Sequence, residues 1–380
     1  MLATRLRMAA RALLDAGIEF LLRDEFTTPD AAPIGTAGER TAEPGPGTLT
    51  FTENDGTWAT SGGVLEYTAQ ITTTYGDLEA QIGGARTRAA GLNLIVLNDN
   101  FTAALEGHWC GWYKISSGVN PTLSANVECH TWFYHTNGMY CRSLGDGDSQ
   151  ENWENSTDYD LAFVLRGSGG FWLIKGGEWA EWTVVWVDNL QSSATVYPMY
   201  SVAKGDGTVD SLRIAQLATP WDTDNGIATD IEAGAVAAST TFTHEADCLI
   251  EFIVTTVPSA DNIDVFFRVQ DASNYWIARV TTGGALQLIE VVAADGGTQR
   301  GTGGTVTDGE RIVIIADDET ISGYADNTKA WSYTSAANFK TETAGEVDAL
   351  GTGGVVSDLI TWPRVLSGTA LSELESYTGA

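Results

Sequence analysis

Basic residues are scarce. The 380-residue chain carries 20 Lys and Arg against 50 Asp and Glu, a formal net charge of −30. Only five of the basic residues are Lys. Nucleic acid is therefore excluded as a partner, because phosphate binding needs a basic patch. Cysteine is scarce too. Cys110, Cys129, Cys141 and Cys248 are too few for a disulfide framework in a chain of this length. They read as buried free thiols, with one pair among the first three as the alternative. No apolar run is long enough to span a bilayer, so membrane insertion is not expected.

Catalytic signatures are missing as well. The chain has no Ser–His–Asp order, no P-loop and no G-x-G-x-x-G opening a helix. Gly301–Gly304 reads as a β turn. Glycoside hydrolysis needs two carboxylates close together. The nearest cluster is Glu178, Glu181 and Asp188, and alternation puts Glu181 and Asp188 on opposite faces of one strand. His108, Cys110, Cys129, His130, His135 and Cys141 lack the C-x₂-C spacing of a structural zinc site. The chain is not expected to be an enzyme.

What is abundant is turn chemistry. There are 42 Gly with many Thr, Ser, Asn and Asp, but only 9 Pro. Short alternating runs sit between these turns, as in antiparallel sandwiches. No helix–strand alternation occurs, so a parallel α/β sheet is excluded. The length suggests more than one core. Val209–Pro220 (VDSLRIAQLATP) is echoed by Val356 onward in VVSDLITWPRVL, with Ser211 matching Asp358 and Leu212 matching Leu359. Each copy follows a Gly-rich turn and ends near a Trp–Pro or Pro–Trp pair. Two copies of one β-rich unit are expected, each closed by this strand. The expected division is an N-terminal helical arm at 1–23, a first sandwich at 24–219 and a second at 220–380.

Residues 1–22 differ from the rest. Leu2, Leu6, Ala9, Ala10, Leu13 and Leu14 form a helical stripe, with Arg5, Arg7 and Arg11 on other faces. Asp15 interrupts the apolar stretch, against a signal peptide. The segment reads either as a helix on its own domain or as an arm docking onto a partner. In the second case Arg5, Arg7, Arg11, Leu6 and Leu13 are the docking residues. Ile18, Phe20 and Leu22 then alternate like a strand. Thr27–Gly47 reads as a loop.

Tryptophans crowd the first unit. Trp182, Val184 and Trp186 share one strand face and read as core. Trp153, in a polar loop-like stretch, is the main candidate for an exposed platform that stacks on sugars, with Trp109 and Trp132 behind it. Asp146, Asp148 and Glu151 crowd oxygen ligands into one expected loop, though the EF-hand pattern fails.

Two stretches of the second unit carry a resemblance. Asp271–Val280 and Arg311–Asn327 resemble the concanavalin-like or laminin-G-like jelly roll, where a Tyr and an Asp precede a tight turn. Tyr324, Asp326 and Asn327 match, with Asn327 replacing the usual Gly; Asn tolerates φ > 0, so the turn is kept. Asp358–Ser367, followed by a short helix at 370–377, resembles the family's last strand and tail. In the first unit, Arg23–Thr28, Gly62–Leu65, Lys175–Gly177, Trp182–Asp188 and Thr195–Pro198 resemble domains of tailed-phage structural proteins. The resemblance implies an all-β chain of two tandem jelly-roll sandwiches. It also leaves room for one Ca²⁺ at the loop carboxylates Asp146, Asp148 and Glu151, and otherwise for no cofactor. It implies a non-enzymatic virion structural or adhesion protein, a fibre, spike or decoration subunit, packing with other virion subunits or with itself. The alternative is a carbohydrate-binding lectin module, secreted or at a cell surface, whose partners are glycans.

Overall fold

The computed structural model describes residues 20–24, 37–41, 48–52, 56–61, 64–69, 78–82, 86–87, 93–102, 107–114, 127–134, 138–143, 146–150, 154, 157–166, 169–188, 195–203, 206–216, 228 and 230–378. The chain forms two compact units. The first comprises residues up to Pro220 together with Ser367–Ala380; the second is Trp221–Leu366. All described strand pairs are antiparallel, and each unit is a jelly-roll sandwich of two sheets.

In the first unit one sheet runs in the order Trp179–Asp188, Gly169–Gly176, Asp158–Arg166, Asn93–Thr102, Asp206–Gln216, Val64–Ala69, Gly56–Ser61. Phe20–Asp24 also pairs with Asp206–Gln216. The other sheet runs Asp146–Gln150, Gly138–Ser143, Val127–Tyr134, Gly107–Tyr113, Thr195–Ala203, Leu78–Ile82, Thr48–Thr52, Ala37–Thr41. Trp112 ties the two together by donating its indole N–H to the carbonyl of Phe163 at 3.4 Å. Trp182, Val184 and Trp186 are buried, as their alternation predicts. Cys110 and Cys141 are buried on the strands flanking Val127–Tyr134, and both are register partners of Thr131.

Three expectations change here. Thr27–Gly47 is not wholly loop, because Ala37–Thr41 is an edge strand paired with Thr48–Thr52. Asp146 and Asp148 are not in a loop; they lie on the edge strand Asp146–Gln150, paired with Gly138–Ser143. The C-terminal helix, Gly368–Thr378, belongs with the first unit rather than the second. It buries Ala370, Leu374 and Tyr377, the i, i+4, i+7 stripe of an amphipathic helix. Arg213 donates to the carbonyls of Tyr377 and Thr378, satisfying acceptors that a helix C-terminus leaves open. The Tyr377 hydroxyl donates to the carbonyl of Gln216 at 3.2 Å.

The second unit has sheets in the orders Asp230–Val236, Val355–Pro363, Cys248–Thr256, Glu310–Asp317, Thr320–Ala325, Thr328–Tyr333 and Thr240–Thr243, Ala344–Ala349, Ile263–Asp271, Asn274–Val280, Leu286–Val291, Thr298–Gly303. One cluster fills the space between them, including Ile250, Phe252, Val265, Phe267, Trp276, Leu288, Ile312, Ile314 and Val347. Each such side chain contributes about 1.5–3 kcal/mol on burial. Gly301 and Gly303 are strand residues, not a turn as expected. A Cβ on Gly301 would meet Trp331 at 3.0 Å, and one on Gly303 would meet the carbonyl of Ala330 at 2.2 Å. The glycines let this edge strand approach the opposing sheet, where Trp331 donates its indole N–H to Leu286 at 3.1 Å.

The echoed strands are equivalent. Asp206–Gln216 and Val355–Pro363 are both interior strands of their sheets. Both carry a bulge, one residue apart when the strands are matched. The register shifts between Val209 and Ser211 in the first and around Asp358 (φ 53°) in the second.

Candidate functional site

A ligand face needs side chains that reach solvent, and in the second unit the centre of one sheet does not supply it. The sheet containing Cys248–Thr256 and Glu310–Asp317 is buried on both sides. Ile250, Phe252, Ile312 and Ile314 face the core, yet the alternate residues Leu249, Glu251, Val313 and Trp362 are buried as well. Its polar groups are paired among themselves. Arg311 donates from Nε to Glu251 Oε1 at 2.9 Å and from Nη1 to Asn327 Oδ1 at 3.1 Å. Trp362 donates its indole N–H to Glu251 Oε2 at 3.0 Å.

The other sheet differs. Strand alternation sends Ile263, Val265, Phe267, Trp276, Ala278 and Val280 inward. It sends Asp264, Phe266, Tyr275, Ile277 and Arg279 to the far side. There Ile277, Ile289 and Val291 form a second small cluster with Phe266 and Tyr275 packed on it. The two rings are half-buried and stacked, 4.4 Å between centroids and 17° between planes. The hairpin joining their strands is set by Asp271. Its carboxylate accepts from the backbone N–H of Ser273 at 2.8 Å and from the Asn274 amide at 2.9 Å, and these bonds hold its pKa below the usual carboxylate value. This closes the turn that places Tyr275 near Phe266.

Charges border the rings. Arg279 donates to both oxygens of Asp264, Nε to Oδ1 and Nη2 to Oδ2, each at 2.6 Å. That fork keeps the guanidinium firmly charged and fixes its plane. Partial burial raises the Tyr275 phenol pKa, and the carboxylates of Asp348 and Asp264 add to the rise while Arg279 opposes it. The result is an apolar stacking surface with a phenolic donor, carboxylate acceptors and a guanidinium along one border. Chemically it matches a ligand with an apolar face and a hydroxylated edge.

A groove of about 530 Å³ at one end of the same sandwich is the competing location. Thr282, Gly284, Thr305, Thr307 and Asp308 line it. Asp308 accepts the N–H of Val257 at 2.8 Å, and Thr307 is bonded to Glu310 at 2.7 Å. These bonds serve the loops themselves, and no aromatic ring lines the groove.

Trp109 is buried, 1% exposed, so its indole fills a core and offers no platform. Trp153 and Glu151 lie outside the described residues, as does the side chain of Trp132. Only the backbone of Asp146 and Asp148 is described, on the edge strand. Arg5, Leu6, Arg7, Arg11 and Leu13 also lie outside the described residues. Among the described residues no group of three His, Cys, Asp or Glu side chains could hold a metal ion. No described helix is long and apolar enough to cross a membrane. The Phe266–Tyr275 face was not anticipated. Its signal was the pair of alternating strands IDVFFR and YWIAR, where aromatic residues occupy the face shared with Asp264 and Arg279.

No protein-family profile matches the sequence, and no curated protein sequence is similar to it. Solved structures are similar in fold. The exoplasmic/lumenal domain of VIP36, in a Ca²⁺- and Man3GlcNAc-bound form, is 8% identical, with 46% of this chain and 86% of that one covered and a TM-score of 0.37. The carbohydrate-binding module CBM66 from Bacillus subtilis is 9% identical, covering 44% and 95%, with a TM-score of 0.32. A structure from a study of endo-acting O-glycanases of the human gut microbiota is 9% identical, covering 52% and 99%, with a TM-score of 0.34. Similar solved structures thus include carbohydrate-binding domains of the lectin-like sandwich type, at identities too low to speak for a ligand here.

Proposed function

We propose that the protein is a non-enzymatic carbohydrate-binding protein whose second sandwich carries the glycan site on the Phe266–Tyr275 face. The observation that carries this reading is the stacked, half-exposed ring pair bordered by the Asp264–Arg279 fork. Pyranose rings present an apolar C–H face and an equatorial rim of hydroxyls. The first would lie against the aromatic surface, and the second would meet the Tyr275 hydroxyl, the Asp264 and Asp348 carboxylates and Arg279. The Asp264–Arg279 fork is fixed before the ligand arrives, which lowers the ordering cost of binding. The location of such a protein would be extracellular, secreted or displayed on a surface. A virion fibre or spike subunit would use the same face for adhesion, with residues 1–22 supplying attachment to the particle.

The test is a printed glycan array followed by calorimetric titration of the best binder. The wild-type chain is expected to bind, and Phe266→Ala/Tyr275→Ala to lose at least about fivefold in affinity, since each aromatic stack is worth about 0.5–1.5 kcal/mol. Circular dichroism checks that the variant is folded. Unchanged binding by the folded double variant would remove the site, and silence of the whole array would remove the reading.

A further inference from the structure

We infer that this face selects uncharged glycans and rejects those bearing sulfate, sialic acid or uronic acid. The inference rests on the carbohydrate-binding reading and names the ligand class of that site. It comes from the charge inventory of one sheet. The sheet's strands contain three arginines and no lysine: Arg268, Arg279 and Arg300. Each already pairs with a carboxylate of the protein. Arg268 is fully buried, donating to the carbonyls of Ala246 and Asp318 and to Asp247. Arg279 is held by both oxygens of Asp264 at 2.6 Å. Arg300 is bound to Glu290 at 2.6 Å and lies 5.6 Å from the centroid of the Tyr333 ring.

The carboxylates are distributed differently. Glu346 is the direct cross-strand neighbour of Phe266. Asp348 sits in the bulge between the pairs Val265–Val347 and Asp264–Ala349, is exposed, and acts electrostatically on the Tyr275 hydroxyl. Around the rings three carboxylates, Asp264, Glu346 and Asp348, therefore face one guanidinium, which is already committed to Asp264. Sugar hydroxyls donate to carboxylates and gain from this arrangement. A sulfate or carboxylate on the ligand has no proton to donate, and would set its charge against Glu346 and Asp348 while the rings exclude water. That is discrimination by a repulsive element rather than by an added contact. The chain's net charge of −30 acts in the same direction at longer range.

The experiment uses an array in which each neutral glycan core is also present in sialylated, sulfated and uronate-bearing forms. Binding is read at about 10 mM and about 1 M salt, because charge effects at the surface are screened within about 3 Å at the higher value. The wild-type chain is expected to bind neutral cores at least about tenfold better than their anionic forms at low salt, with the ratio shrinking at high salt. The double variant Glu346→Gln/Asp348→Asn should lose most of that ratio whatever it costs neutral binding, because the ratio compares two ligands on one protein. Anionic forms bound as tightly as neutral ones by the wild type would overturn the inference alone. So would a ratio unchanged in the double variant. If neither form of any core binds, the carbohydrate reading fails and the inference falls with it.

Discussion

Arg268 donates its backbone N–H to Nε2 of His244 at 3.1 Å, and this bond holds a left-handed residue (φ 48°) inside a strand. The register of Ile263–Asp271 shifts just beyond Phe267 as a result. The imidazole tautomer follows from the partners. Nδ1–H donates to the carbonyl of Glu245 at 2.7 Å, which leaves Nε2 as the acceptor for Arg268. A second proton on Nε2 would break the bond from the Arg268 N–H and turn toward the Ala344 carbonyl 3.2 Å away, placing a charge next to the buried Arg268 guanidinium.

Stability should therefore depend on pH through His244. Burial is the largest influence and lowers its pKa below the ordinary value, with the Arg268 charge acting in the same direction and the Glu245 and Ala344 carbonyls opposing. The unfolded chain takes up this proton near pH ~6.5, and the folded chain only at lower pH. Stabilisation is thus complete above the unfolded value and is lost as pH falls through it toward the folded value. Melting temperatures compared at pH 7.5 and pH 5 should drop for the wild type more than for His244→Phe. Parallel drops in the two proteins would rule out the assignment.

Tyr275→Phe separates the two contributions of that side chain to the proposed site. The ring stays stacked on Phe266, so fold stability should shift by less than about 0.5 kcal/mol. The hydroxyl near Asp264 and Asp348 is gone, and one hydrogen bond to the ligand with it. A neutral hydrogen bond is worth about 0.5–1.5 kcal/mol, so affinity should fall roughly three- to tenfold. Calorimetry on the same glycan measures it. An affinity loss as large as that of the double alanine variant would mean that the ring itself had moved.

Much of the architecture was legible because local chemistry dictated it. The Asp271–Asn274 and Asp326–Asn327 turns have the residues their geometry requires, and the echoed strand at Asp206–Gln216 and Val355–Pro363 kept even its bulge. Where tertiary contacts override local preference, the sequence misled. Gly301 and Gly303 look like a turn until Trp331 is placed against them. Ala344–Ala349, AGEVDA, has weak strand propensity and is held by its neighbours on both sides. The Trp-rich first unit drew attention as a ligand surface, whereas Trp109, Trp112, Trp172, Trp182 and Trp186 are among the largest fully buried side chains. The Phe266–Tyr275 face was hidden for the opposite reason. Phe266 and Phe267 are adjacent, and only the placed neighbouring strands tell which ring is core.

Glu251 and Arg311 form a buried ion pair whose removal should be costly in an asymmetric way. Glu251→Ala leaves the Arg311 charge buried without its carboxylate and the Trp362 indole N–H without its acceptor. Breaking one side of such a pair costs about 3–5 kcal/mol. Glu251→Leu/Arg311→Met removes both charges and should recover most of that loss, while the Asn327 amide and the Trp362 indole each lose one hydrogen bond, at about 1 kcal/mol each. Urea unfolding of the three proteins gives the comparison. A single variant as mild as a surface substitution would contradict the pairing.

The turn at Asp326 and Asn327 makes the sharpest sequence-level prediction, because glycine should act oppositely at adjacent positions. Both residues are left-handed, with φ of 45° and 63°. That conformation is disfavoured for residues other than glycine and is relieved by it. Asp326 is exposed, so Asp326→Gly should be neutral or stabilising by up to about 1 kcal/mol. Asn327 is buried, and its Oδ1 accepts from the Arg311 guanidinium at 3.1 Å. Hydrogen bonds to charged groups are worth about 1.5–3 kcal/mol, more than the relief of φ for an asparagine. Asn327→Gly, which restores the residue usual in the family it resembles, should therefore destabilise by about 1 kcal/mol. Thermal melts of the two variants decide it, and shifts of the same sign would show that the amide bond to Arg311 contributes nothing to the choice of asparagine.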